Sequence, residues 1–152
     1  MKKIASFTVN HDYITPGIYL SRVDGDVVTY DLRTRRPNCG DYMDHLTMHS
    51  LEHMFATLVR NSEIADEVIY FGPMGCQTGF YLLTRDSVSK DKALDVIKSV
   101  LAQIEKETAM FGQSRVECGN YENLSLDAAK KEAAAYLAVL NARDWDFIYP
   151  TK

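Results

Sequence analysis

Two periods of apolar and polar positions run along the chain, and the points where one gives way to the other mark its elements. Residues 17–32 carry Ile18, Leu20, Val27, Val28, Tyr30 and Leu32 on either side of Asp24-Gly25-Asp26. An Asp-Gly pair supplies the positive φ angles of a tight hairpin turn, so two antiparallel strands are predicted there. A second pair is predicted at 67–71 and 78–84, joined by Gly72-Pro73-Met74-Gly75-Cys76-Gln77, whose glycines and proline punctuate a turn. A short strand is expected from Val116 to Cys118, ended by Gly119-Asn120. Near the amino terminus Ser6, Thr8 and His11 alternate with Phe7 and Val9, which reads as a strand with one polar face, free to pair or pack outside its own core.

Helical spacing appears in three stretches. Over 91–108, Leu94, Ile97, Leu101 and Ile104 form one stripe, with Ser89 as a cap. Over 126–142, an alanine-rich segment places Leu126, Ala129, Ala133, Leu137 and Leu140 together, with charges opposite. Over 47–61, Leu51, Phe55 and Leu58 share a face, and at about 100° per residue His49, His53 and Arg60 fall on the other side. The first two are packing helices, and the third has two faces with different tasks. Hairpins mixed with helices, without repeats or linkers, predict a single α+β domain over residues 1–152: a mostly antiparallel sheet packed with helices.

Composition narrows the partners. The chain is 46% apolar and 25% charged, as expected of a globular domain with its own core. Lys and Arg number 17 against 21 acidic residues, a formal charge of -4 that repels a phosphate backbone, so nucleic acid is not an expected partner. Arg33, Arg35 and Arg36 form the one basic cluster, enough to grip a small anion or polyol. No apolar run approaches the roughly 20 residues of a membrane span, and Met1-Lys2-Lys3 leads into polar sequence, so no membrane contact and a cytoplasmic location are expected. Three cysteines at wide spacings, Cys39, Cys76 and Cys118, suit free thiols or metal ligands in a reducing compartment.

The most informative pentapeptide is His49-Ser50-Leu51-Glu52-His53. Histidines at i and i+4 of a helix stand one above the other, so both imidazoles can reach one metal ion. Glu52 beside them can act as a base or orient the site. The order H-x-x-E-H inverts the common zinc-protease motif. Cys118 is the best candidate for a third ligand, since a thiolate binds divalent metals well and Gly119 permits close backbone approach. Three protein ligands leave a position open, the mark of a catalytic site. The bland alternatives are a solvated helix face with two histidines and a cysteine that is a small buried hydrophobe. Cys76, among the glycines of Gly72 to Gly79, has room for a reactive thiolate, against the alternative of an ordinary buried cysteine at a strand start. Cys39 has no partner motif and is assigned to structure.

Six blocks in order resemble one family, and they cover almost the whole chain: Ser6-Phe7-Thr8-Val9-Asn10-His11, Asp31-Leu32-Arg33, Pro37-Asn38, His49-Ser50-Leu51-Glu52-His53, Gly72 to Tyr81, and Glu117-Cys118-Gly119. They resemble S-ribosylhomocysteine lyase, the LuxS family of autoinducer-2 synthesis. The resemblance implies a metal held by His49, His53 and Cys118, with iron(II) as the physiological ion and zinc as a stable occupant. It implies that Glu52 and Cys76 are the acid-base pair and that Ser6, His11 and Arg33 line the sugar pocket. It also implies a homodimer with active sites at the interface, the segment Ser6 to His11 reaching the partner's metal. The implied reaction cleaves S-ribosylhomocysteine to homocysteine and 4,5-dihydroxy-2,3-pentanedione. The sequence departs from the family pattern at Tyr70, where an Asp is common, and at Cys39-Gly40-Asp41.

Two other functions use similar residues. An amide hydrolase of the deformylase kind combines two histidines, a cysteine and a glutamate, but in the order His-Glu-x-x-His with the cysteine upstream. A non-catalytic metal module would need a fourth ligand, for which His11 or His45 is available.

Overall fold

The computed structural model describes residues 1–152. Four strands, β1 (Gly17–Asp24), β2 (Val27–Arg33), β3 (Val68–Pro73) and β4 (Gly79–Arg85), form one sheet in the order β1-β2-β4-β3, every pairing antiparallel. The β1–β2 turn carries Gly25 at φ 59, the left-handed conformation that the Asp-Gly pair predicts. Of three helices, α1 (His45–Val59), α2 (Lys90–Lys106) and α3 (Leu126–Asn141), α1 and α3 lie against the sheet and α2 packs on both of them. Each begins on a side chain that takes up a free backbone N–H: Asp44 accepts from Thr47, Ser89 from Lys92 and Ser125 from Ala128. The α+β class is the one expected.

The core sits between helices and sheet. On β2, Val28, Tyr30 and Leu32 join the apolar cluster, and β4 adds Phe80 and Leu82. Phe55 of α1 stacks on Phe71 of β3 at 4.3 Å, and Phe71 stacks on Phe80 of β4 at 5.1 Å, so one run of rings fastens α1 to two strands. The intervening positions of β2 point the other way, yet Asp31 and Arg33 are buried too. The carboxy-terminal tail is one of their covers. Leu20 donates its N–H to the Phe147 carbonyl at 2.8 Å, Phe147 is buried, and Trp145 donates to the Leu140 carbonyl at 3.0 Å.

Several expectations are corrected. Residues 116–118 form no strand. Ser114 and Glu117 bond each other through side chain and backbone, Cys118 donates its N–H to the Ser114 carbonyl, and Val116 stands exposed. The segment Ser6 to His11 is not a strand either. A short 3-10 helix spans Ala5–Phe7 and turns follow, stabilised by local bonds from Thr8 Oγ1 to the Ala5 carbonyl and from the Asp12 N–H to Asn10 Oδ1. The apolar stripes of α2 and α3 are rotated slightly: Ala93, Val96, Val100 and Tyr136 are buried, while Leu94, Leu126 and Leu137 are only half-buried. No helix is long and apolar enough to cross a membrane.

Candidate functional site

α1 presents His49 and His53 on the side away from Leu51 and Phe55, their rings 4.6 Å apart and nearly perpendicular. The Nδ1 of His49 lies 2.8 Å from the Asn123 carbonyl, and that of His53 lies 3.0 Å from the Phe111 carbonyl. A carbonyl can only accept, so each Nδ1 carries the proton and each Nε2 is left as a lone-pair donor. Gly112, at φ 66, makes room for the second contact: a Cβ there would lie 2.9 Å from His53 Nδ1.

Cys118 arrives from the irregular segment between α2 and α3. Its Sγ sits 3.4 Å from His49 Nε2, and the Asn120 N–H points at the sulfur from 3.4 Å. Ligand atoms of His49, His53 and Cys118 all lie within 4.8 Å of one another. Tetrahedral bonds of zinc-like length put neighbouring ligand atoms about 3.3–3.8 Å apart. The half-buried trio therefore fits one small divalent ion with only slight closure. The donor set, two neutral imidazoles and a thiolate, suits zinc or iron(II). Glu52, next to His53, is half-buried and makes no hydrogen bond or ion pair. His45 lies one turn before His49, held at Nδ1 by the Asn123 side chain, and is not part of the trio.

A second group forms at the β3–β4 turn. Cys76 is exposed, against the alternative of a buried cysteine, and Gln77 beside it adopts φ 65. The turn is tied to the residue before Asp44: the Met43 N–H donates to the Gln77 carbonyl and Gln77 Nε2 to the Met43 carbonyl. Cys76 Sγ lies 3.0 Å from Thr78 Oγ1, which accepts from Arg33 Nη1 at 2.8 Å. Arg33 Nη1 is itself 4.0 Å from the sulfur. On its other edge Arg33 donates twice to Asp31, at 3.0 and 2.6 Å, and both residues are at most 2% exposed. Burial by itself disfavours the Arg33 charge, but Asp31 more than offsets it and leaves the guanidinium above its ordinary value. Removing one member of such a pair costs about 3–5 kcal/mol.

The arginine cluster is thus no open grip. Arg33 is paired with Asp31, and Arg35 makes two bonds to Glu132 and one to Asp41, leaving Arg36 alone without a partner. Buried carboxylates, invisible in a count of basic residues, claim the other two. Cys39, assigned to structure, is exposed and donates to the Arg36 carbonyl at the surface.

His11 lines a cavity of about 290 Å³ with Asn38, Tyr42, Cys76 and Thr78. The trio of His49, His53 and Cys118 does not line it. Ser6 lies elsewhere, in a cavity of about 430 Å³ on the outer sheet face with Tyr70 and Tyr81. One chain therefore does not bring Ser6 and His11 into one cavity, nor either of them to the trio. Asp31, Thr78 and the two anchoring carbonyls escaped the functional reading of the sequence. For Asp31 the signal was present, since i and i+2 on a strand share a face. For the carbonyls of Phe111 and Asn123 there was none, because their role depends on how irregular backbone lies against α1.

Residues 4–145 match the family model described as S-Ribosylhomocysteinase (LuxS). Similar proteins named S-ribosylhomocysteine lyase include one from Clostridium beijerinckii, 44% identical over 163 aligned positions that cover 99% of each chain. Another, from Finegoldia magna, is 43% identical over 156 positions, again covering 99% of each chain. A third, from Borreliella afzelii, is 42% identical over 147 positions, covering 93% of this chain and 94% of its own. The chain belongs to the S-ribosylhomocysteinase (LuxS) family, a family of lyases, and carries a His-His-Cys cluster of metal-binding form.

Proposed function

We propose that the protein cleaves S-ribosylhomocysteine to homocysteine and 4,5-dihydroxy-2,3-pentanedione, using one divalent metal per chain. The observation that carries this reading is the convergence of His49, His53 and Cys118, from a helix and a distant loop, on one small volume. A metal held there, iron(II) in the cell and zinc as a stable substitute, supplies Lewis-acid polarisation of the sugar carbonyl. The carbonyl must migrate from C1 to C3 through two enediol stages before the thiol, then β to a ketone, can leave. Each stage moves a proton between carbon and a side chain. Cys76, exposed beside Thr78 and Arg33, takes and returns protons on one side of the sugar. Glu52, free of partners beside His53, serves the later enolisation and the elimination from the other side. Once two chains pair, Ser6 and His11 border the sugar, and Arg33 supports it from beneath Thr78.

The site is completed by a second copy of the chain. The cavity of His11 and Cys76 excludes the trio, and Ile4, Phe7, Val23 and Tyr70 leave apolar surface exposed around the amino-terminal segment and sheet. A two-fold pairing brings the His11 side of one chain against the trio of the other, twice over. The product is the precursor of autoinducer-2, and its formation serves either signalling or only the recycling of a methylation by-product.

Thiol release from S-ribosylhomocysteine tests the reaction, and formate release from formyl peptides tests the deformylase alternative. Glu52→Gln should retain metal and lose turnover by about 10²–10⁴-fold. Near-normal turnover would reduce Glu52 to a support of His53. Mixing inactive His11→Ala with inactive Cys118→Ala protein should restore activity in mixed dimers. No recovery after verified subunit exchange would put both residues in one chain's site.

A further inference from the structure

Arg33 stands midway along a hydrogen-bonded line that starts at Cys76 and ends in the carboxy-terminal tail, beyond the residues 4–145 that the family model matches. Resting on the reading of Cys76 as a proton carrier, we propose that Tyr149 is a positioning residue for that thiol. Its hydroxyl holds the Asp31 carboxylate so that Arg33 stays seated on Thr78 and directs its charge at the sulfur.

The partners of each atom leave little freedom. Asp31 Oδ1 accepts from Arg33 Nε, and Oδ2 accepts from Arg33 Nη2 at 2.6 Å and from the Tyr149 hydroxyl at 2.7 Å. The carboxylate is 1% exposed, so the phenol supplies what water would supply at the surface. By drawing charge from Oδ2, the phenol weakens the part of Asp31's field that cancels Arg33 at Cys76. Thr78 Oγ1 is already accepting from Arg33, so its own proton is free to turn toward the sulfur 3.0 Å away. Burial first, and then the Asp31 charge, raise the Tyr149 phenol well above its ordinary value, which keeps it a donor. Tyr81 and Tyr136, the other phenols that feel Asp31, are likewise raised by burial and add no charge.

Packing also fixes the Tyr149 ring. It stacks on Tyr19 with centroids 4.9 Å apart and planes at 20°, two residues beyond the buried Phe147 and its backbone bond to Leu20. Phenylalanine at 149 should therefore keep the tail in place and remove only the hydroxyl, which both Asp31 and Ser21 meet.

Metal-loaded wild-type and Tyr149→Phe proteins would be alkylated near neutral pH, in parallel, with neutral iodoacetamide and anionic iodoacetate. Modification of Cys76 and of Cys39, an exposed thiol in the same chain, would be followed by peptide mass spectrometry. The expected result is that Tyr149→Phe slows Cys76 by about threefold to tenfold, a share of one charge-assisted hydrogen bond. The iodoacetate preference at Cys76 falls with it, Cys39 is unchanged, and kcat for thiol release drops with KM retained. Wild-type rates at Cys76 in the variant, or slower rates with an unaltered preference between the reagents, overturn the proposal. If wild-type Cys76 reacts no faster than Cys39, the reading of Cys76 itself fails, and this inference with it.

Discussion

Cys118 and Cys76 are the same side chain held in two opposite ways. Cys118 comes from irregular backbone and is fixed by what it meets, the imidazole of His49 and the Asn120 N–H. Cys76 comes from a tight turn between paired strands and is fixed from behind, through Thr78 and Arg33, with its open side toward a cavity. A ligand sulfur gains from being surrounded, because every neighbour either shares the ion or stabilises the thiolate. A proton-carrying sulfur must keep one side clear for substrate and take its electrostatic support from the other. On the proposed reading, this contrast is how one short chain would place a ligand thiol and a reactive thiol without confusing them.

Exchanging the lesions breaks the comparison most severely. His53→Ala combined with Cys118→Ala should lose the metal altogether, whereas Cys76→Ala should keep a full complement and abolish thiol release; metal content per chain and a thiol assay read both. Loss of metal from Cys76→Ala would show the two roles reversed. A subtler probe is Gly112→Ala, which strains a backbone at φ 66 and pushes on His53 Nδ1. It should weaken metal affinity by about 10–100-fold in a chelator competition and leave the alkylation rate of Cys76 unchanged. Equal damage to both thiols would mean that the two groups are not independent.

The smallest effect concerns the helix arm. Asp44 caps α1, and its bonds from the Thr47 side chain and backbone hold its carboxyl below the usual value. A carboxyl depressed in the folded state adds stability above its unfolded pKa, and loses it as pH falls through the folded one. Asp44→Ala should cost about 1 kcal/mol in urea unfolding at neutral pH, and less near roughly pH 3. An undiminished difference in acid would assign the loss to helix propensity instead of the cap.

Elements whose causes are local were legible in the sequence. The Asp24-Gly25-Asp26 turn and the cap Ser89 each act within four residues, and the His49–His53 spacing follows from helix geometry. The residues around Cys118 were not, because their shape is set by side-chain bonds such as Ser114 to Glu117 and by anchors such as Lys130 Nζ on the Glu107 carbonyl. A valine in a short apolar run suggests a strand, but Val116 has no neighbouring strand to join. The arginine cluster misled for a related reason. Its carboxylate partners lie at positions 31, 41 and 132, and only the first falls within a strand's reach. Ser6 and His11 were singled out by resemblance alone, and the local turns that hold them carry no sign of their proposed role.

The bond from the Tyr136 hydroxyl to the Gly17 carbonyl joins positions 119 apart, and that from Tyr149 to Asp31 joins positions 118 apart. A chain leaving the ribosome exposes its first hairpin long before either tyrosine exists. During that interval Asp31 and Arg33 have each other but no lid, and the edge formed by β1 has neither α3 nor the tail to hold it. Contacts of such separation are slow to form, because the loop they close must be ordered first. Residues 136–149 thus decide when the first strands become permanent, and Cys76 acquires its finished surroundings only after they have been made.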